Sequence, residues 1–142
     1  MKRVVDIELL REHLDDTADA AEQNASGDVN WSDDDLRKSL DAVAREFNSL
    51  PPLISSHCDS SNLPADTNMF LDGAGAFAIE RWLRRKQRER APFSAGGIET
   101  DPDGPLIDSM GKLAAELRQR FTRAATTLKA TNNMMAAFQR IG

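Results

Sequence analysis

The stretch MFLDGAGAFAIERWLRRKQRER, residues 69–90, decides the fold because it can form one long helix with two different halves. Residues 69–79 are apolar almost all around a helix, which predicts the buried central helix of a bundle. Small residues in this half lower helix propensity but let a neighbouring helix approach closely; they are Gly73, Ala74, Gly75, Ala76 and Ala78. We predict that this third helix begins near residues 66–67 and ends at about Arg90.

Residues 31–50, WSDDDLRKSLDAVAREFNSL, predict the second helix. Ser32 can cap its first turn, and the three aspartates that follow lie where the helix dipole favours negative charge. Trp31 and Leu36 have the spacing of a hydrophobic staple across that cap. Apolar residues then recur at steps of four and three on one face, namely Leu36, Leu40, Val43, Phe47 and Leu50. The proline pair at 51–52 ends the helix because proline lacks the backbone N–H donor.

A weaker amphipathic pattern predicts the first helix, from about Asp6 to Glu22. Its apolar positions are Ile7, Leu10, Leu14, Ala18 and Ala21. The second half has only alanines at these positions, so a turn or two of helix followed by a mobile segment is an equal alternative. Residues 24–28, NASGD, predict a loop.

The fourth helix is predicted from about Leu106 to Thr131. Its apolar residues again recur at steps of four and three: Leu106, Met110, Leu113, Leu117, Phe121, Ala124 and Leu128. Two amphipathic helices and one helix that is apolar all round can share a core. The sequence therefore predicts an all-α fold, an antiparallel helical bundle of about four helices with an extended C-terminal arm.

The arm comprises residues 132–142, beside a bundle domain of residues 1–131 whose N-terminal helical segment is residues 1–25. It has one charged side chain, Arg140, and four large apolar ones: Met134, Met135, Phe138 and Ile141. Terminal segments are usually polar, and an exposed apolar patch marks an interaction site. The arm therefore predicts docking, either on its own bundle or on another chain.

Charge is unevenly distributed along the 142-residue chain, whose net charge is −5. Residues 1–50 carry 13 acidic and 6 basic side chains, whereas residues 81–90 carry six basic side chains and one acidic. The basic segment consists of Arg81, Arg84, Arg85, Lys86, Arg88 and Arg90. It predicts contacts between subunits, because the acidic and basic ends of one protein can pair in an assembly. An ordinary solvated face explains it equally.

DNA is another partner that the basic segment favours. Cations along a helix can neutralise phosphates, and Trp82 or Phe93 can stack on bases. The negative net charge argues against a general nucleic-acid binder, and no helix-turn-helix pattern precedes the segment. The alternative function is therefore a small helical DNA-binding or regulatory protein that uses residues 81–93.

Few residues are typical of catalysis or of a cofactor site. His57 and Cys58 are adjacent, but the sequence supplies no third group to orient a nucleophile and base. Residues 99–104 match the start of a calcium loop, but Met110 stands where that loop needs a glutamate. The single cysteine excludes an internal disulfide and is typical of the cytoplasm, and no apolar stretch reaches the ~20 residues of a membrane span. The sequence predicts no enzyme, no cofactor, no metal and no membrane contact.

Two short motifs and the order of the elements carry a resemblance to a known family. The motifs are WSDDDL at residues 31–36 and FNSLPP at residues 47–52. A Gly/Ala-rich helix, a basic helix end, the glycine pair at 96–97, an amphipathic helix and an apolar tail follow in that order. Over residues 31–142 the chain resembles the small helical neck proteins of tailed bacteriophages, the head-to-tail connectors (adaptors) that dock beneath the portal.

The resemblance implies a structural virion protein without catalytic residues, made in the host cytoplasm and located in the phage neck. Copies in that family form a homo-oligomeric ring, typically of twelve, around the DNA channel. The portal protein lies above the ring and the tail or a further neck protein below it. The resemblance implies that the apolar residues of the arm dock on the portal. It also implies that residues 84–90 contact a neighbouring subunit or the channel DNA.

Overall fold

The computed structural model describes residues 4–17, 29–51, 59–61, 63–64, 68–90 and 104–141. Four α-helices account for most of these residues: α1 (Ile7–Leu14), α2 (Asp33–Ser49), α3 (Met69–Arg90) and α4 (Gly104–Ile141). Within these ranges the backbone forms no strand, and extended pairing is limited to an isolated antiparallel bridge between Val4 and Pro64. The prediction of an all-α bundle of about four helices is confirmed.

Helix α3 is the centre of the bundle, because it packs against each of the other three helices. Helix α2 runs antiparallel to it. Phe47 near the end of α2 meets Phe70 at the start of α3, with ring centroids 5.1 Å apart. Asp35 at the start of α2 pairs with Arg85 near the end of α3. The predicted central position of the Gly/Ala-rich helix is confirmed.

The closest approach between helices occurs at Gly73 of α3. A Cβ atom built there would lie 2.5 Å from Cγ2 of Val43 on α2 and 2.8 Å from the ring of Phe121 on α4. Phe70 packs beside this point, with its ring centroid 6.4 Å from that of Phe121. The absent side chain at Gly73 therefore lets α2 and α4 pack against α3 from two sides, as the small-residue pattern predicts.

Helix α2 begins and ends as its sequence predicts. The Ser32 hydroxyl accepts a hydrogen bond from the backbone N–H of Asp35, and the Asp35 carboxylate accepts one from the N–H of Ser32, which completes a capping box. Trp31 and Leu36 are both buried on either side of this cap. The indole Nε1 of Trp31 also donates to the carbonyl of Ala78 over 2.8 Å, which fixes the start of α2 against α3.

Helix α1 is shorter than the predicted span of residues 6–22. It ends at Leu14, because Asp15 adopts the left-handed conformation with φ of 53°. The chain then turns inward, and the buried carboxylate of Asp16 accepts the backbone N–H groups of Asn30 and Trp31 at 2.8 and 3.0 Å. Residues 18–28, which contain the rest of the predicted helix and the predicted loop, lie outside the described residues.

Helix α4 begins at Gly104 and continues through the predicted arm to Ile141. Its predicted apolar face is only partly correct: Leu106, Leu113, Ala124 and Leu128 are exposed. The buried face comprises Ile107, Ala114, Leu117, Phe121 and Ala125. The physical reason is that α4 lies against the glycines of α3, where Phe121 approaches Gly73 and Leu117 approaches Gly75, and this contact turns the side of α4 that carries these two residues toward the core.

Candidate assembly surfaces

The last turns of α4 extend beyond the bundle. Lys129 is the last fully buried side chain in the described part of this helix, and Met134 and Met135 are 60% and 56% exposed. The twelve residues from 130 to 141 correspond to about 18 Å of helix. The side chains of Phe138 and Ile141 lie outside the described residues, although their backbone is helical. The arm is thus a continuation of α4 that carries exposed methionines.

Lys129 attaches the base of this extension to the bundle. Its ammonium Nζ donates to the backbone carbonyl of Leu50 over 2.7 Å and lies 4.8 Å from the ring centroid of Phe47. Leu50 is the C-cap of α2, so the positive charge lies at the negative end of the α2 dipole. This contact between α4 and the end of α2 therefore fixes the direction in which α4 leaves the bundle.

Four exposed residues form an apolar line along α4: Leu106, Leu113, Leu128 and Met135. At 100° per residue they fall within about 60° of one another around the helix. Leu106 is 50% exposed, and Leu113 and Leu128 are 41% and 40% exposed. The line flanks the buried face and spans 30 residues from 106 to 135, so α4 presents a second apolar surface that nothing in the described chain covers. The predicted apolar face placed Leu106, Leu113 and Leu128 toward the core, although the seven-residue steps from Leu106 to Leu113 and from Leu128 to Met135 indicate a separate line.

The basic segment divides into residues that stabilise the fold and residues that do not. Arg85 donates to the carboxylate of Asp35 over 2.7 Å. Lys86 lies 3.6 Å from the carboxylate of Glu89 and 5.6 Å from the ring centroid of Trp82. These two cations therefore have partners within their own chain.

The remaining arginines form a basic face, defined as Arg81, Arg84 and Arg88. Arg84 and Arg88 are exposed and Arg81 is half-buried. The spacing of three and four places them within about 60° on one side of α3. Among the described residues, none of the ion pairs involves these three arginines. The side chain of Arg90 lies outside the described residues.

An acidic face lies on α1 and its C-cap, defined as Glu8, Glu12 and Asp15. All three side chains are exposed, and none takes part in an ion pair with a described residue. Their neighbour Arg11 instead turns to Asp16 and Asp33, at 3.2 and 2.7 Å. The exposed carboxylates of α1 and the exposed arginines of α3 thus both lack ion-pair partners among the described residues.

Arg118, which the sequence pattern did not indicate, joins α4 to α3. Arg118 donates through Nε and Nη2 to both carboxylate oxygens of Glu80, at 2.8 and 2.9 Å, and covers the ring of Phe77 at 4.7 Å. The hydrogen bonds to Glu80 raise the pKa of Arg118, and burial opposes this only in part. This forked pair joins the two helices and stabilises the bundle.

The Asp35–Arg85 pair makes part of the stability depend on pH. Partial burial raises the pKa of Asp35, but hydrogen bonds from Arg85 and Ser32 outweigh it and hold that pKa below its usual value of 3.8. A lowered carboxyl pKa stabilises the fold fully above the unfolded-state pKa, and this stabilisation is lost as the pH falls through the lower pKa of the folded protein.

We expect Asp35→Asn to lower the free energy of unfolding at pH 7 by about 1–2 kcal/mol, because it weakens both the capping box and the pair with Arg85. The difference from the wild type should shrink as the pH falls below 3.8. Urea unfolding followed by circular dichroism from pH 7 to pH 3 measures it. The control Asp34→Asn changes an exposed carboxylate whose ion-pair partner among the described residues is the exposed Lys38, so a smaller loss is expected at pH 7. A difference for Asp35→Asn that stays constant with pH would contradict the prediction.

The described residues contain no cluster of three or more side chains that could hold a metal ion. None of their helices is both long and apolar enough to cross a membrane. His13 pairs with Asp72 at 2.9 Å between α1 and α3, which supports packing of the two helices. His57, Cys58 and the loop at residues 99–103 lie outside the described residues.

Comparison with family models, with curated proteins and with solved structures finds no match to this chain.

Proposed function

We propose that this chain is a structural subunit of a bacteriophage neck, a head-to-tail connector whose copies form a ring beneath the portal. The ring links the DNA-filled capsid to the tail. In this proposal the arm docks on the portal protein, and neighbouring copies contact one another through their bundles. The chain works in the virion, in a ring of about twelve copies as the resemblance of its motifs implies.

The observation that carries the proposal is the extension of α4 beyond its last buried residue. Met134 and Met135 in this extension have more than half of their surface exposed. Methionine adapts to irregular apolar surfaces. A partner surface that accepts this end of α4 would bury these methionines.

The apolar line of α4 supports the same proposal. Leu106 and Leu113 lie near the start of the helix and Leu128 near the base of the arm, so exposed apolar surface follows the helix for most of its length. In a ring, a neighbouring bundle or the portal would cover this line. Burial of apolar surface is the main favourable term in protein association.

The test compares binding of the portal protein of the same phage to the full chain and to the double variant Met134→Asp with Met135→Asp. We expect binding to weaken by more than about tenfold, because two half-exposed methionines contribute about 2–3 kcal/mol when they are buried. Deletion of residues 132–142 should abolish binding while circular dichroism shows the bundle still folded. Co-purification and surface plasmon resonance measure both.

The matched control is Gln119→Asp with Thr126→Asp, which adds the same charge to exposed polar positions of α4. Its binding to the portal should equal that of the wild type. The proposal is wrong if the methionine variant and the deletion variant bind the portal as well as this control does.

A further inference from the structure

We infer that the basic face of one copy docks on the acidic face of a second copy, in a head-to-tail contact. Arg81, Arg84 and Arg88 of α3 in the first copy would pair with Glu8, Glu12 and Asp15 at α1 in the second. The inference rests on the proposed function in that it names the contact between neighbouring subunits of the ring. It draws on charge, spacing and exposure, and is independent of the portal.

The two faces match in spacing when their helices run antiparallel. From Arg88 back to Arg81 the basic residues are separated by four and then three positions. From Glu8 forward to Asp15 the acidic residues are also separated by four and then three positions. The basic residues cover seven steps of α3, about 10 Å of helix, whereas Glu8 and Glu12 lie on α1 and Asp15 is its C-cap. Two carboxylates on α1 and a third at its end can therefore face the three arginines of α3.

The arginines of this face differ from their neighbours in having no ion-pair partner among the described residues. On the same helix, Arg85 lies 2.7 Å from Asp35 and Lys86 is held by Glu89. Arg81, Arg84 and Arg88 have no such partner among the described residues. Because these three arginines lie together on one side of α3 without ion-pair partners among the described residues, that side is a charged surface available to another molecule.

The acidic face is not in register with the arginines of its own chain. Leu14 of α1 packs at Gly75 of α3, where a Cβ would lie 3.3 Å from Leu14 Cδ2. Arg84 lies nine residues further along α3, about 14 Å away along the helix axis. The two faces occupy different ends of the α1–α3 contact, as a head-to-tail interface requires. Such a contact closes into a ring when the rotation between copies divides the circle.

The experiment measures self-association of the full chain by sedimentation velocity at low and high salt. We expect the wild type to associate, and to do so about tenfold more weakly when salt rises from about 50 mM to about 500 mM, because exposed charge pairs are screened. Arg84→Glu with Arg88→Glu should weaken association by at least about tenfold, since two pairs of about 0.5 kcal/mol each are lost and replaced by like-charge contacts of similar size. Glu8→Arg with Glu12→Arg should do the same.

The decisive sample is a mixture of these two charge-reversed variants. Each variant alone carries like charges on both faces, whereas in the mixture each face again meets its opposite. Association of the mixture should return to within about threefold of the wild type. The control Arg37→Glu with Arg45→Glu makes the same change in net charge at exposed positions of α2, and should associate as the wild type does.

Three results would overturn the inference: a wild type that stays monomeric at low salt and high concentration, charge-reversed variants that associate normally, or a mixture that remains monomeric. Strong salt-dependent binding of duplex DNA that is lost in Arg84→Glu with Arg88→Glu, without effect on self-association, would assign the basic face to DNA instead. Portal binding of the methionine variants is measured separately. A connector whose copies meet through other surfaces would bind the portal but would not show charge-paired self-association. Charge-paired self-association without portal binding would support this inference and contradict the proposed function.

Discussion

Substituting valine for Gly73 is expected to cost about 3 kcal/mol or more of the free energy of unfolding, and alanine about 1–3 kcal/mol. The reason is steric, because a Cβ at this position would lie 2.5 Å from Val43 Cγ2 and 2.8 Å from the Phe121 ring. Both neighbours are fully buried core residues on different helices, so neither can retreat without opening the core. Urea unfolding of each variant, followed by circular dichroism, measures the loss.

Gly111 of α4 provides the matched control for this substitution. A Cβ there would meet nothing within 4 Å, so Gly111→Ala should stabilise the protein by about 0.5–1 kcal/mol through helix propensity. The loss in the double variant Gly73→Ala with Val43→Ala should be smaller than the sum of the two single losses, because Val43→Ala removes the nearest clashing atom. A double-mutant cycle measures this coupling. Equal stability of Gly73→Ala and Gly111→Ala would contradict the packing described for α3.

Asp16→Ala is expected to destabilise the protein by about 3–5 kcal/mol, because it removes one partner of a buried network. The Asp16 carboxylate is 1% exposed, accepts the N–H groups of Asn30 and Trp31 and lies 3.2 Å from the guanidinium of Arg11. Without it, the two backbone donors lose their acceptor and, among the described residues, Arg11 keeps Asp33 as its one carboxylate partner. The midpoint of thermal or urea unfolding should fall accordingly, and Trp31 fluorescence should report the loosened start of α2.

Asp16→Asn separates the charge from the hydrogen bonds. It retains one acceptor oxygen and loses the pair with Arg11, so a loss between that of Asp16→Ala and the wild type is expected. Glu12→Ala, at an exposed position of α1, should stay within about 0.5 kcal/mol of the wild type. If Asp16→Ala were as stable as Glu12→Ala, the role assigned to this carboxylate would be wrong.

Helix α2 and the central position of α3 could be predicted because their signals are local. The Ser32 cap and Trp31 at the start of α2 act within a few residues of sequence, and the proline pair at 51–52 limits its end. The composition of residues 69–79 requires burial whatever the neighbours are. The end of α1 could not be predicted in the same way. Asp15 ends the helix in the left-handed conformation, and Asp16 then binds the backbone N–H groups of Asn30 and Trp31, which lie 14 and 15 residues away in sequence.

Only part of the candidate assembly surfaces could be predicted. The basic segment and the exposed methionines of the arm were identified from charge and hydropathy. The apolar line of α4 was not, because Leu106, Leu113 and Leu128 were assigned to the core. A helix with apolar residues on two adjacent sides can bury either side in the core, and the sequence of α4 alone does not determine which side is buried.

The sequence by itself determined the class of fold, the caps of α2, the burial of α3 and the segregation of acidic and basic residues, because each follows from neighbours within one or two helical turns. The tertiary structure alone decided the rotation of α4, the buried role of Asp16 and the division of the arginines. Those outcomes depend on contacts between distant segments. The small residues of α3 admit α4 at one rotation, and the positions of Asp35 and Glu80 then determine that Arg85 and Arg118 are paired while Arg84 and Arg88 remain exposed.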